Sequence, residues 1–134
     1  MADFTIGMLA KLSGVNIETV RFYERKAILP KPKRKPSGYR LYTNEDLKRL
    51  KFILMAKTHG FTLNEIKDLL NLRVDPESTC EDVRIAAQEK IEIVKIKLKE
   101  LTRIKNALIK LAASCHGAGP VGECPLLLEF EKGN

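Results

Sequence analysis

The chain has 134 residues and a formal net charge of +7, room for one small domain with an appendage. No apolar run approaches the eighteen or so residues that span a bilayer, and Met1-Ala2-Asp3-Phe4 lacks a basic-then-apolar signal pattern, so the expectation is a cytoplasmic protein with no membrane partner. Residues 1–60 carry thirteen Lys/Arg against five Asp/Glu, and residues 61–134 eleven against twelve; a basic half of this kind favours nucleic acid or an anionic membrane. Its charges cluster in a Pro-rich loop rather than along one face of an amphipathic helix, which puts DNA first.

Taken in chain order, Thr5 to Leu12 reads as a short helix with Ile6, Leu9, Ala10 and Leu12 as its apolar side, broken by Ser13-Gly14. Asn16 can cap a second helix, Ile17 to Arg25, that turns Ile17, Val20 and either Phe22 or Tyr23 inward. Two short helices around a Gly-containing turn form a helix-turn-helix. The stretch Leu29 to Gly38 holds three prolines and cannot be helical; with Tyr39-Arg40-Leu41-Tyr42 as an alternating strand it reads as a hairpin with a basic tip, a wing. Thr43 or Asn44 starts a third helix carrying Leu47, Leu50, Ile53 and Leu54, with His59 as its C-terminal cap before Gly60. Thr62-Leu63-Asn64-Glu65 matches the capping box of a fourth helix with Ile66, Leu69 and Leu70.

Ser78-Thr79-Cys80-Glu81 repeats the capping-box pattern, and no Gly or Pro follows until Gly117, which predicts one helix of over thirty residues. Ala87, Ile91, Val94, Leu98, Leu101, Ile104, Leu108 and Leu111 step by three or four along it, a coiled-coil-like seam. The remaining chain is too short to cover that seam, so a second copy must, and a homodimer is expected. After a Gly-rich loop, Leu126 to Phe130 form a short apolar segment. The expected fold class is mainly α: a winged helix-turn-helix DNA-binding domain over 1–75, a long antiparallel coiled-coil dimerisation helix over 76–112, and a metal-binding loop with a short C-terminal helix over 113–134.

The second helix of a helix-turn-helix lies in the major groove with its N-terminal side chains at base edges, while nearby basic and tyrosine side chains hold phosphates. Glu18, Thr19 and Arg21 are the base-edge candidates. Tyr23, Arg25, Tyr39 and Arg40 suit phosphate or wing contacts, and Lys33, Arg34 and Lys35 form the basic tip; a solvated loop is the plainer reading of that tip.

Cys80, Cys115 and Cys124 are odd in number, and with no export signal they argue against a disulfide framework. Cys80 and Cys115 are separated by 35 positions, about 52 Å along a helix, so they cannot hold one ion within a chain. In a symmetric antiparallel dimer Cys80 of one copy meets Cys115 and Cys124 of the other. Near a helix N-terminus the dipole favours the Cys80 thiolate. Three thiolates select a soft ion; a structural zinc site seeks a fourth ligand, for which His116 or Glu123 is in reach. Three inert cysteines are the competing reading, because the spacing matches none of the usual zinc-finger patterns.

Thr5-Ile6-Gly7, Val20-Arg21-Phe22-Tyr23-Glu24, Gly38-Tyr39-Arg40-Leu41-Tyr42 and Gly60-Phe61-Thr62-Leu63-Asn64-Glu65-Ile66 together resemble the MerR family of bacterial transcription regulators over essentially the whole chain. Cys80, Cys115-His116 and Cys124-Pro125-Leu126 look like its mercury-sensing branch. The resemblance implies Hg(II) bound through three cysteines shared across a homodimer, with Pb(II), Cd(II) or Zn(II) as the ions of relatives. It also implies a dimer seated on promoter DNA whose spacer is too long, with metal binding untwisting the DNA and realigning it for RNA polymerase. A cytosolic metal-sequestering protein is the alternative from another class. An enzyme is disfavoured, since there is no Ser/His/Asp set, phosphate-binding Gly loop or paired-carboxylate motif.

Overall fold

A computed structural model describes residues 3–32 and 41–133. Its helices are α1 (Ile6–Ser13), α2 (Ile17–Arg25), α3 (Asn44–Thr58), α4 (Leu63–Val74), α5 (Cys80–Ala113) and α6 (Pro125–Glu131), with one 3₁₀ turn at Val121–Glu123. The fold is mainly helical. Two compact units divide the chain, Met1–Val83 and Arg84–Asn134.

In the first unit α1 packs on α2 and α3, and α3 on α4. Phe4, Leu9, Ala10, Val20, Tyr23, Ile28, Leu29, Tyr42, Leu50, Ile53, Ile66 and Leu70 form one core. Side chains that satisfy otherwise orphaned N–H groups fix where each helix begins. Thr5 accepts from the Met8 N–H, and Asn16 Oδ1 from the Thr19 N–H at 2.8 Å. The expected capping box at Thr62 and Glu65 is present, and Thr43 with Asp46 forms a second one. Three helices then end in the same way. After α1 the N–H groups of Gly14 and Val15 reach back to Lys11 and Ala10; after α3 those of Gly60 and Phe61 reach Lys57 and Ala56.

The third such end, after α2, has an alanine where a glycine is usual. The Ala27 N–H donates to the Glu24 carbonyl at 3.0 Å and the Ile28 N–H to the Tyr23 carbonyl at 3.2 Å, the paired bonds of a Schellman motif. Ala27 takes φ 59° to make them, a conformation that costs an L side chain about 1–2 kcal/mol. The strain is offset where the turn leads: Ile28 and Leu29 are fully buried, and Arg49 Nε donates to the Ile28 carbonyl at 2.7 Å. Ala27→Gly is expected to stabilise the fold by about 1 kcal/mol, less than the full strain because glycine also loosens the unfolded chain. The check is a raised urea midpoint with an unchanged slope.

One expectation needs correction here, and another lies largely outside the described residues. Of the strand expected over 39–42, Tyr42 pairs with Phe4 in an isolated antiparallel bridge, each N–H donating to the other's carbonyl at 2.7 Å. Both rings are buried, so the apolar content of Tyr42 docks it on the core beside the chain's start. Residues 33–40, and with them the tip of the expected wing, lie outside the described residues. On α2, Val20 and Tyr23 are buried, Tyr23 being one of the two alternatives offered, whereas Ile17, expected inward, is 38% exposed, as is Phe22.

α5 is one unbroken helix of 34 residues, as expected. Its cap sits one residue later than the capping-box pattern suggested. The Thr79 N–H, not that of Ser78, donates to a helix carboxylate, that of Asp82 at 2.8 Å. With Cys80 as the first helical residue, Asp82 rather than Glu81 occupies the third position from which a side chain reaches back. On its solvated side Glu92 pairs with Lys95 at 3.2 Å and Glu100 with Arg103 at 2.6 Å. The hydrogen bond and charge of Arg103 hold the Glu100 carboxyl below its usual range.

The seam is open. Ile91, Val94, Leu98, Leu101, Ile104 and Leu108 are all exposed, Leu101 at 62%. In the second unit the 3₁₀ turn packs against α6, which begins on Pro125, a residue preset for the first helical position.

Candidate nucleic-acid interface and cysteine positions

α2 divides cleanly into two sides. Val20, Tyr23 and Glu24 face the core, which leaves Glu18, Arg21 and Arg25 exposed in one stripe at helical spacing. Thr19 is half-buried, and its hydroxyl donates to Asn16 Oδ1 at 2.9 Å, so it braces the start of α2 as well as standing near the exposed stripe. Buried contacts on the other side hold the helix. The Tyr42 hydroxyl donates to Glu24 Oε2 at 2.9 Å, a charge-assisted bond inside the core that ties α2 to the residue where the chain returns from its basic segment.

Tyr23, expected at the phosphates, is a core residue. It is 5% exposed, its ring meets that of Phe22 edge-on at 5.5 Å, and burial pushes its hydroxyl pKa up. A residue missed in the sequence takes a place on the surface instead. Lys26, just past α2, is exposed and holds its ammonium 5.6 Å from the Phe22 ring; the signal was the four-residue spacing from an aromatic side chain. Lys31 is exposed two residues before the undescribed segment. Lys33, Arg34, Lys35, Tyr39 and Arg40 lie within that segment.

All three cysteines are free thiols. Cys80 and Cys115 are exposed and Cys124 is half-buried. Cys80 is the first residue of α5, Cys115 follows its end by two residues, and Cys124 immediately precedes α6. The Cys115 sulfur accepts a hydrogen bond from the Gly117 N–H at 3.4 Å; Gly117 has φ 77°, so the turn that brings this donor round needs a residue without a side chain. His116 and Glu123 are exposed. Among the described residues, no three His, Cys, Asp or Glu side chains of one chain come together as a metal-holding group. The cap at His59 is as expected: its Nδ1 lies 2.9 Å from the Met55 carbonyl oxygen.

A helix-turn-helix with an exposed basic stripe, followed by a long helix with an open apolar side, is the architecture of a DNA-binding regulator. Comparison with known families agrees. Residues 4–72 match the MerR HTH family regulatory protein model and residues 47–111 the model described as MerR, DNA binding. The mercuric resistance operon regulatory protein of Serratia marcescens is 37% identical over 131 residues, covering 98% of this chain and 90% of that protein. Among solved structures, the transcription regulator PbrR691 of Ralstonia metallidurans CH34 in complex with lead(II) aligns with a TM-score of 0.84 and 38% identity, covering 95% of this chain and 98% of that one. The dual function regulator MerR of Bacillus megaterium MB1 in complex with mercury(II) aligns with a TM-score of 0.72 and 37% identity, covering 96% and 99%. The chain belongs to the MerR family. It is a regulator that binds DNA, not an enzyme.

Proposed function

We propose that this chain is a metal-responsive transcriptional regulator of a heavy-metal resistance promoter. It acts as an antiparallel homodimer in the cytoplasm and senses Hg(II) through Cys80 of one copy with Cys115 and Cys124 of the other. Binding reorients the two DNA-binding domains, untwists the promoter and realigns it for RNA polymerase. The control is exerted through DNA deformation and a two-state dimer. Glu18, Thr19 and Arg21 read base edges, and Arg25 with the basic segment holds phosphates.

One observation carries the shared site. Reflection about the point between Lys97 and Leu98 maps Ala87 onto Leu108, Ile91 onto Ile104 and Val94 onto Leu101. Leu98 and Leu111 fall on Lys97 and Arg84, so six of the eight seam positions pair when the spacing is read in either direction. A two-fold axis across antiparallel helices makes that demand, since each residue must meet the reflected residue of its partner; a parallel pair makes no such demand. The same reflection maps Cys80 onto Cys115. With these exposed apolar side chains open to water, burial against a second copy is favourable, and in that register the thiols come together.

Mercury is favoured by the name of the Serratia relative and by the Bacillus megaterium complex; the lead(II) complex of PbrR691 supports Pb(II) as a second reading. Both are soft ions suited to thiolates. The deciding experiment mixes two inactive chains, one Cys80→Ser and the other Cys115→Ser/Cys124→Ser. Neither homodimer should bind Hg(II) tightly, whereas after subunit exchange the mixed dimer should regain one complete site, seen as thiolate-to-metal absorbance. No regain in a mixture shown to contain mixed dimers would refute the shared site. Titrating the reduced wild-type chain with Hg(II), Pb(II), Cd(II) and Zn(II) then ranks the ions, with one ion per three cysteines expected.

A further inference from the structure

Near its end, α5 faces α6 across a cleft of about 380 Å³. Ala107, Lys110, Leu111 and Ser114 line it from α5, Pro125 and Glu129 from α6. The Ser114 hydroxyl is turned back on its own helix, donating to the Leu111 carbonyl at 2.5 Å, so this polar group does not compete for an occupant. The cleft adjoins two candidate ligands in sequence, since Cys115 follows Ser114 and Cys124 precedes Pro125.

The occupant follows from the register. Reflection about the point between Lys97 and Leu98 sets residues 81–88 of a second copy beside residues 107–114 of the first. Within 81–88, Val83 is a branched apolar side chain left 44% exposed, and it lies on the same side of the helix as Cys80 and Ala87, at steps of three and four. Ala107, Leu111 and Ser114 share one side of α5 by the same steps. In a two-fold antiparallel pair a given flank of one helix meets the same flank of the other. The cleft is charge-balanced, with Lys110 and Glu129 both in its lining, so it presents no net charge against an apolar side chain.

The geometry points to this cleft as the seat of Val83 from a second copy of the chain. α6 is then a clamp on the partner's first turn, and Val83 a positioning residue that sets Cys80 against Cys115 and Cys124. The inference rests on the antiparallel dimer proposed above and adds the contact that aligns its metal site.

Two measurements on the full chain test it. In a chain with Cys80, Cys115 and Cys124 changed to serine, Val83→Cys combined with Leu111→Cys should give a disulfide-linked dimer on mild oxidation. Each new cysteine alone should not, because two copies of Val83 lie at opposite ends of the pair. In the otherwise native chain, Val83→Glu should weaken Hg(II) binding about 10–100-fold, the usual effect of losing a partner that orients a ligand, while Val83→Ile retains it. Sedimentation separates the two ideas. A dimer that does not cross-link, or one in which Val83→Glu binds Hg(II) as tightly as wild type, overturns the Val83 contact and leaves the dimer intact. A monomer overturns the proposed dimer and this contact together.

Discussion

Cys80→Ser is expected to abolish metal-induced transcription while leaving metal-free DNA binding essentially unchanged. Cys80 is exposed at the first position of α5, where a substitution of similar size changes stability by no more than about 0.5 kcal/mol. The helix therefore still forms, and the Thr79–Asp82 bond that starts it does not involve the lost sulfur. What disappears is one of three thiolates. Removing a direct ligand should weaken Hg(II) binding by more than the roughly 10–100-fold that follows loss of a supporting outer partner. In vitro transcription from the cognate promoter with increasing Hg(II) reads the first effect and a mobility-shift titration without metal the second. A Cys80→Ser chain that activates fully would sink the assignment of this residue.

The second large effect is that of salt on DNA affinity. If the two chains of the proposed dimer together neutralise about 6–10 phosphates, affinity should fall about 10³–10⁵-fold between 50 and 200 mM salt. The individual roles separate within that dependence. Loss of a base-edge contact at Arg21 should cost about 1–3 kcal/mol and relax discrimination at one base pair, whereas Arg25→Ala or Lys33→Ala should weaken all sequences alike and lower the salt slope by about 1. Tyr23→Phe, in contrast, should leave the slope unchanged, because its ring is inside the core. Fluorescence anisotropy across a salt series provides the numbers, and an affinity flat over that range would contradict phosphate-driven binding.

Local signals with a physical mechanism were legible in the sequence. Asn16, Thr62 with Glu65, and the Gly60 turn each satisfy backbone groups within a few residues, so no distant partner is needed to read them. The unbroken α5 was legible for the same reason, as a stretch without Gly or Pro. Features set by distant contacts were not. The nine residues of α2 offer two apolar sides, and the choice of Tyr23 over Phe22 and Ile17 is made by the Schellman turn at Ala27 and by what packs beyond it, Ile28 and Leu29. The bridge between Tyr42 and Phe4 was not legible, because alternation gives a strand but not its partner, and Phe4 lies far away in sequence. The site divides along the same line. The three cysteines were identifiable one by one, whereas the cleft that receives Val83 depends on how α6 folds back on α5.

The bridge between Phe4 and Tyr42 separates two properties that usually trade off. The basic segment leaves the core after Leu29 and rejoins it at Tyr42, and both of these residues are buried. Its two anchorage points are thus held by packing and by paired backbone bonds that do not depend on what lies between them. Chain inserted between fixed ends adds little closure entropy, about 0.6 kcal/mol for each doubling of loop length. Evolution can therefore lengthen, shorten or recharge the basic segment as an interchangeable attachment, while the helix-turn-helix that carries it keeps its fold.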